Sequence, residues 1–238
     1  MKESNKMKLC IIIPAFNEQK SIGSVVDSMT ESAARTNHKV SVVVVDDGSH
    51  DDTAKVARLH GAIVVRHILN SGAGGATATG LSYADQNMYD VAVTADADGQ
   101  HAPSDVMACV DELLKTQSDL VIGSRLINSE GMSKTKVLGN QGLSFITYLL
   151  FGVSVTDSQS GLRVFSKKAL TQLKWKTNGY EFCSEMLWRA KQQQLKISEF
   201  PIKAIYTDYS KAKGQNNWNA FNIVGSLVRR RITEILHE

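Results

Sequence analysis

Val40-Ser41-Val42-Val43-Val44-Val45-Asp46-Asp47-Gly48-Ser49 decides the fold. Five valines in six positions leave no polar face, so the strand they form is covered on both sides, as in the interior of a parallel sheet. It runs straight into an acid–acid–glycine turn, and Asp and Gly suit tight backbone geometry. The same grammar extends in both directions. Upstream, Leu9 to Ile13 reads as a strand stopped by Pro14, and Ser21 caps a helix with Ile22, Val25, Val26, Met29 and Ala33 at helical spacing. Downstream come a short helix from Asp52, a strand Ala62 to Val65, and a helix opened by glycine-rich Ser71 to Gly75. A strand Val91 to Ala95, a helix capped by Ser104 and carrying Val106, Met107, Val110, Leu113 and Leu114, and a strand Leu120 to Gly123 complete the series. Strand and helix alternate throughout. The expectation is an α/β fold, a mostly parallel open sheet flanked by helices.

After Arg125 the alternation loosens. A polar loop, Leu126 to Lys136, leads to a helix over Val137 to Phe151. Then follow a turn at Asp157-Ser158-Gln159-Ser160-Gly161, a strand Leu162 to Phe165, a helix Tyr180 to Gln193, and a strand Leu195 to Tyr206 whose Pro201 favours an edge or a bulge. No repeat, linker or low-complexity tract divides the chain, so residues 1–217 are expected to form one domain. Residues 218–238 form a C-terminal amphipathic helix with Phe221, Val224, Val228, Ile232 and Ile235 near one face and Arg229-Arg230-Arg231 interrupting it. That helix either lies at a membrane surface or packs on the domain with a solvated basic face.

Composition narrows the classes. The chain has 238 residues, 42% hydrophobic and 21% charged, ample for a sizeable core. A formal charge of +3 is too small to argue for nucleic acid, and no helix-turn-helix, RNP or zinc-finger pattern occurs. Cys10, Cys109 and Cys183 are far apart, which suits a reducing compartment and thiols buried as small apolar residues. Met1 to Lys8 lacks the apolar core of a signal peptide, and the longest apolar stretch, Phe145 to Val153, is too short to span a bilayer. A cytoplasmic protein, peripheral at the cytoplasmic face of a membrane, is the expectation.

Chemistry concentrates in Val91-Ala92-Val93-Thr94-Ala95-Asp96-Ala97-Asp98-Gly99-Gln100-His101. Acids two apart at a strand end point the same way if extended geometry persists. Ligands bind at the carboxyl edge of open α/β sheets. A hard divalent cation there takes carboxylate oxygens and shares its other positions with phosphate and water. Pro14-Ala15-Phe16-Asn17-Glu18 and Asp46-Asp47-Gly48-Ser49 end strands in the same manner. Ser71 to Gly75 lacks a Walker lysine, and close packing of a helix on the sheet explains its glycines better than a phosphate cradle. Arg125 ends the last regular strand, placed either for phosphate or for a salt bridge to Asp47 or Asp96.

Taken in order, these pieces resemble the family 2 glycosyltransferases, in the branch of dolichol- and polyprenyl-phosphate sugar synthases. The resemblance rests on Ile13 to Glu18, Val45 to Ser49, Asp96 to His101, Gly123 to Arg125, Asp157 to Arg163, Gly179 to Phe182 with Glu185, and the basic Tyr209 to Gln215 segment. It implies a GT-A fold, a GDP- or UDP-linked nucleotide-sugar donor, a lipid-phosphate acceptor, and Mg2+ or Mn2+. Carried over by position, Pro14, Ala15, Glu18 and Asp47 hold the nucleoside, Asp96 touches ribose or metal with Ala97 beside it, and Asp98 and Gln100 bind the metal at the diphosphate. Arg125 faces phosphate, with Lys134, Lys136, Lys211 and Lys213 as further acceptor-phosphate candidates. Phe16 replaces a tyrosine common in the family, and Ala73 and Ala78 replace a lysine and an arginine.

The implied reaction is inverting transfer of a sugar to a polyprenyl phosphate, with Asp98 and Arg125 as the residues closest to the chemistry. An ionised phosphate acceptor needs no general base. Transfer to a sugar or protein hydroxyl would need one, and Glu185 is the candidate. A sugar-nucleotidyltransferase and a catalytically silent nucleotide-sugar-binding module are the remaining readings.

Overall fold

The computed structural model describes residues 6–205 and 218–235, with backbone alone at 218–222 and 234–235. In chain order the elements are β1 (Lys8–Ala15), α1 (Ile22–Ala34), β2 (Lys39–Asp46), α2 (Thr53–Leu59), β3 (Ile63–Arg66), α3 (Ala73–Gln86), β4 (Val91–Thr94) and α4 (Pro103–Thr116). Then come β5 (Leu120–Ser124), α5 (Lys134–Phe151), β6 (Arg163–Ser166), α6 (Lys167–Gln172), α7 (Phe182–Gln192), β7 (Ile197–Pro201) and α8 (Trp218–Ile235). The seven strands form one sheet in the order β3-β2-β1-β4-β6-β5-β7. All pairs are parallel except those of β6, which runs antiparallel to β4 and β5. Two reversals restore direction, so the carboxyl ends of β1, β2, β4 and β5 open on one edge.

The valine strand behaves as its sequence demands. Val42 and Val44 face one core with Leu9, Ile11 and Ile13, beneath Val25, Val26 and Met29 of α1 and Val106 and Val110 of α4. Val43 and Val45 face the other with Cys10 and Ile12, under α3, α5, α7 and α8. All three cysteines are buried thiols, and burial pushes Cys10 and Cys109 up to about 12.

Several local expectations shift. β1 continues through Pro14, because pairing with β4 stops at Ile12 and no ladder bond is demanded of proline on that side. Ser21 does sit at the start of α1, yet its hydroxyl donates to Glu18 instead of capping. Helix α4 begins at Pro103, one residue before the expected cap, since proline's fixed φ and missing N–H suit the first helical position. α6 was not anticipated; its six residues are too few to show a period, and Ser166 caps it by accepting from the Ala169 N–H at 3.2 Å. β7 is shorter than expected and lies at the sheet edge with Pro201 at its end. Tyr206 falls outside the described residues.

The C-terminal helix packs on the domain. Ile223 and Leu227 enter the core beside α5, while Val228 and Ile232 remain exposed. The basic run is partly engaged: Arg230 reaches Glu185 at 3.1 Å and Arg231 lies over the Trp188 ring.

Candidate active site

Two loops interlock at the ends of β1 and β2. The Asn17 N–H donates to Ser49 Oγ at 2.9 Å, the Glu18 N–H to Thr53 Oγ1 at 2.8 Å, and the His50 N–H to Asn17 Oδ1 at 2.9 Å. Glu18 is buried and accepts from the Ser21 hydroxyl. Ala15 and Ala97 turn their methyls into the core, so what they offer the cleft is backbone. Phe16 is exposed and meets the His50 ring edge-on at 6.2 Å between centroids.

Asp47 is buried at this junction and spends both oxygens on the glycine-rich loop. Oδ1 accepts from the Ser71 N–H at 2.8 Å, the Ser71 hydroxyl at 2.7 Å and His67 Nδ1 at 2.7 Å; Oδ2 accepts from the Gly72 N–H at 2.8 Å. Burial raises its pKa, but these donors outweigh burial and hold it below the usual carboxylate value. Packing accounts for the glycines, but against a neighbouring loop and not the sheet that was expected: a Cβ on Gly72 or Gly74 would stand 2.5 Å from the carbonyl oxygen of Asn178 or Thr177.

The acids after β4 depart from the simple strand picture. β4 ends at Thr94, and Ala97 to Gly99 form a turn in which Gly99 takes a positive φ of 75°. Extended geometry therefore does not persist to Asp98. The two carboxylates still share one region. Burial and then the Asp96 charge raise the Asp98 pKa. Asp96 keeps 47% of its side chain exposed and accepts from His101 Nε2 at 3.0 Å. His101 is buried and its pKa is lowered, by burial first and also by the Arg125 charge, against the pull of Asp96. A neutral imidazole thus orients Asp96, a role the sequence did not reveal. Gln100 meets Asp98 directly, its backbone N–H donating to Oδ1 at 3.0 Å and its amide Nε2 to Oδ2.

Arg125 faces neither Asp47 nor Asp96. It pairs with Asp157, a fully buried acid, with Nε to Oδ2 at 2.7 Å and Nη2 to Oδ1 at 2.9 Å. Thirty-two residues separate the pair, so no local spacing pointed to it. Glu185 is also fully buried. Its Oε2 accepts the N–H groups of Lys176 and Thr177, and Oε1 faces Arg230. Burial raises its pKa, and these partners reverse that and lower it, which suits a fixed anion better than a proton-accepting base. Lys134 and Lys136 are exposed in the first turn of α5. Lys211 and Lys213 lie outside the described residues.

Among the described residues no group of three His, Cys, Asp or Glu side chains converges as a metal cage. The donor set nonetheless fits a hard ion: two close carboxylates, one of them half exposed, repel each other without a cation. Mg2+ and Mn2+ typically take one or two carboxylates and complete their shells with phosphate and water.

The fold defines the class. Glucosyl-3-phosphoglycerate synthase from Mycobacterium tuberculosis, crystallised with Mn2+, UDP and phosphoglyceric acid, superposes with a TM-score of 0.68 over 94% of this chain and 78% of that one, at 23% identity. The architecture is that of the GT-A glycosyltransferases. The Glycosyl transferase family 2 profile matches residues 10–174, and the chain belongs to that family. It is 42% identical to the UDP-N-acetylglucosamine–dolichyl-phosphate N-acetylglucosaminyltransferase of Methanococcus voltae, over 95% of this chain and 97% of the relative. It is 28% identical to the polyprenol monophosphomannose synthase of Mycolicibacterium smegmatis, over 81% of this chain and 75% of the relative. The protein is a glycosyltransferase with polyprenyl-phosphate sugar transferases among its homologues.

Proposed function

We propose that the protein moves a sugar from a UDP- or GDP-linked donor to a polyprenyl phosphate, with inversion and with a divalent cation at Asp96 and Asp98. The observation that carries this reading is the pair of close carboxylates at the carboxyl edge, with Arg125 fixed nearby. Pro14, Ala15 and Glu18 line the nucleoside end, where Asp47 acts through the loop it pins. Asp96 and Asp98 hold Mg2+ or Mn2+, Gln100 fixes the Asp98 carboxylate, and Ala97 presents backbone to the donor. The bound ion supplies positive charge to the diphosphate as it departs. An acceptor phosphate oxygen forms the new bond to the anomeric carbon as the bond to the diphosphate oxygen breaks on the opposite face. The acceptor is already ionised, so no residue has to remove a proton. Glu185, tied by two N–H groups and Arg230, is not arranged for that task, which weighs against a hydroxyl acceptor.

The acceptor side has matching features. Lys134 and Lys136 add charge to the N-terminus of α5, where backbone N–H groups favour an anion. A groove of about 310 Å3 lies between α5 and residues 154–156, walled by Phe145, Tyr148 and Val155, with Thr156, the sequence neighbour of Asp157, in its lining. Leu138, Phe145, Tyr148 and Leu149 of α5 and Val228 and Ile232 of α8 are exposed apolar residues suited to a membrane surface. No helix among the described residues is long and apolar enough to cross one. The test is a panel of UDP- and GDP-sugars offered with a short polyprenyl phosphate, with and without Mn2+, read by mass spectrometry. A metal-dependent glycosyl phospholipid is expected. Transfer to added sugars or peptides but never to the lipid phosphate would overturn the acceptor assignment.

A further inference from the structure

Glu185 has no part in the transfer chemistry, yet it is an ionised group in the interior joined to three separate pieces of the molecule. Oε2 accepts the Lys176 N–H at 3.2 Å and the Thr177 N–H at 2.9 Å. Oε1 faces Arg230 of the C-terminal helix at 3.1 Å and Arg189 of its own helix at 3.5 Å. The segment that Glu185 holds is the one that abuts the glycine-rich loop. The Gly74 N–H donates to the Asn178 carbonyl at 2.7 Å, and the Trp175 indole N–H donates to the Gly74 carbonyl at 3.2 Å. That loop in turn delivers the Ser71 and Gly72 N–H groups to Asp47. A continuous run of hydrogen bonds therefore leads from α8 to the donor end of the cleft. A buried carboxylate that loses one partner leaves charge uncompensated, so its other bonds must readjust.

We propose that Glu185 is a positioning residue through which the C-terminal helix sets the placement of the glycine-rich loop, and with it the affinity for the nucleotide. The inference rests on the nucleotide-sugar reading for its ligand, but the linkage itself does not. Docking of α8 is the two-state element: seated, Arg230 completes the Glu185 site; displaced, the Lys176 and Thr177 N–H groups stay and Arg189 is the cation left among the described residues. A surface that draws α8 away would thereby tune donor binding.

The experiment compares wild type, Arg230→Gln and Arg230→Lys, with Glu185→Gln as a second probe. Amide hydrogen exchange is followed at residues 71–74 and 176–177 without ligand, and UDP and GDP binding is measured with Mn2+. Arg230→Gln should speed exchange at both segments and weaken nucleotide binding by about threefold to thirtyfold, while the Michaelis constant for the lipid acceptor stays unchanged. Arg230→Lys, which keeps the cation, should recover most of both effects. A fall in melting temperature with exchange at 71–74 and nucleotide affinity unchanged would overturn the proposal, leaving Glu185 a plain structural anion. If exchange quickens but no variant, nor the wild type, takes up any nucleotide, the linkage is upheld and the donor reading is what fails.

Discussion

Asp98, the proposed metal ligand, works against its own fold. Burial and then Asp96 raise its pKa, so the folded protein holds the Asp98 proton more tightly than the unfolded chain does. Above that folded pKa the carboxylate is charged and costs stability; as pH falls through it, the cost disappears. Asp98→Asn keeps an oxygen for the Gln100 N–H and removes the charge. It should raise the melting temperature at neutral pH, by about 2–4 °C for each ~1 kcal/mol relieved, while abolishing transfer. The advantage should shrink on acidification. A melting temperature below wild type at neutral pH, read by calorimetry, would contradict this account. Asp47 is the opposite case, an acid whose donors more than offset its burial. Sequence placed both acids at the carboxyl edge. It could not show which of them is held below and which above the usual carboxylate value, because Asp47's partners Ser71 and Gly72 are remote in the chain and the burial of Asp98 is set by the packing around it.

Elements were legible to the degree that burial imposed a period. Valine on both faces of β2 and the apolar stripes of α1 and α4 marked their positions within a residue or two. Short α6 and the antiparallel turn of β6 were invisible, since neither length nor pattern records pairing direction. The Arg125–Asp157 pair was hidden for the same reason, joining the end of β5 to the loop before β6. Packing of α3 on β1 carries a sharper test. Ile12 Cγ2 leaves no room for a Cβ on Gly80, and Val45 Cγ2 stands 3.3 Å from it. Gly80→Ala gains helix propensity of about 1 kcal/mol, but the clash with Ile12 puts the overpacking cost in the upper part of the usual range, about 2–3 kcal/mol, for a net loss of about 1–2 kcal/mol. Urea unfolding with an unchanged midpoint would show that α3 shifts freely on the sheet, against the close packing described here.

For the whole molecule, the proposed donor end lies on the sheet and the proposed acceptor end on the helices beyond β5. Phe145 and Leu149 are 60% and 63% exposed on α5, beside α8 with its own uncovered Val228 and Ile232. The sequence offered the C-terminal helix alone as a candidate for membrane contact, with packing on the domain as the alternative; the fold sets α5 next to it. Replacing Phe145 and Leu149 together with serine should weaken sedimentation with anionic vesicles about tenfold or more, since each buried apolar side chain is worth roughly 1.5–3 kcal/mol. Equal sedimentation of variant and wild type would remove α5 from the membrane face. The central claim is narrower: Asp96 and Asp98 serve one divalent ion and the nucleotide diphosphate it neutralises. Calorimetric titration of UDP and GDP into wild type and Asp98→Ala, each with Mn2+ and with EDTA, tests it most directly. Wild type should bind one nucleotide only when Mn2+ is present, and Asp98→Ala should lose that metal-dependent increment while remaining folded. Binding that is indifferent to both EDTA and the substitution would contradict the account.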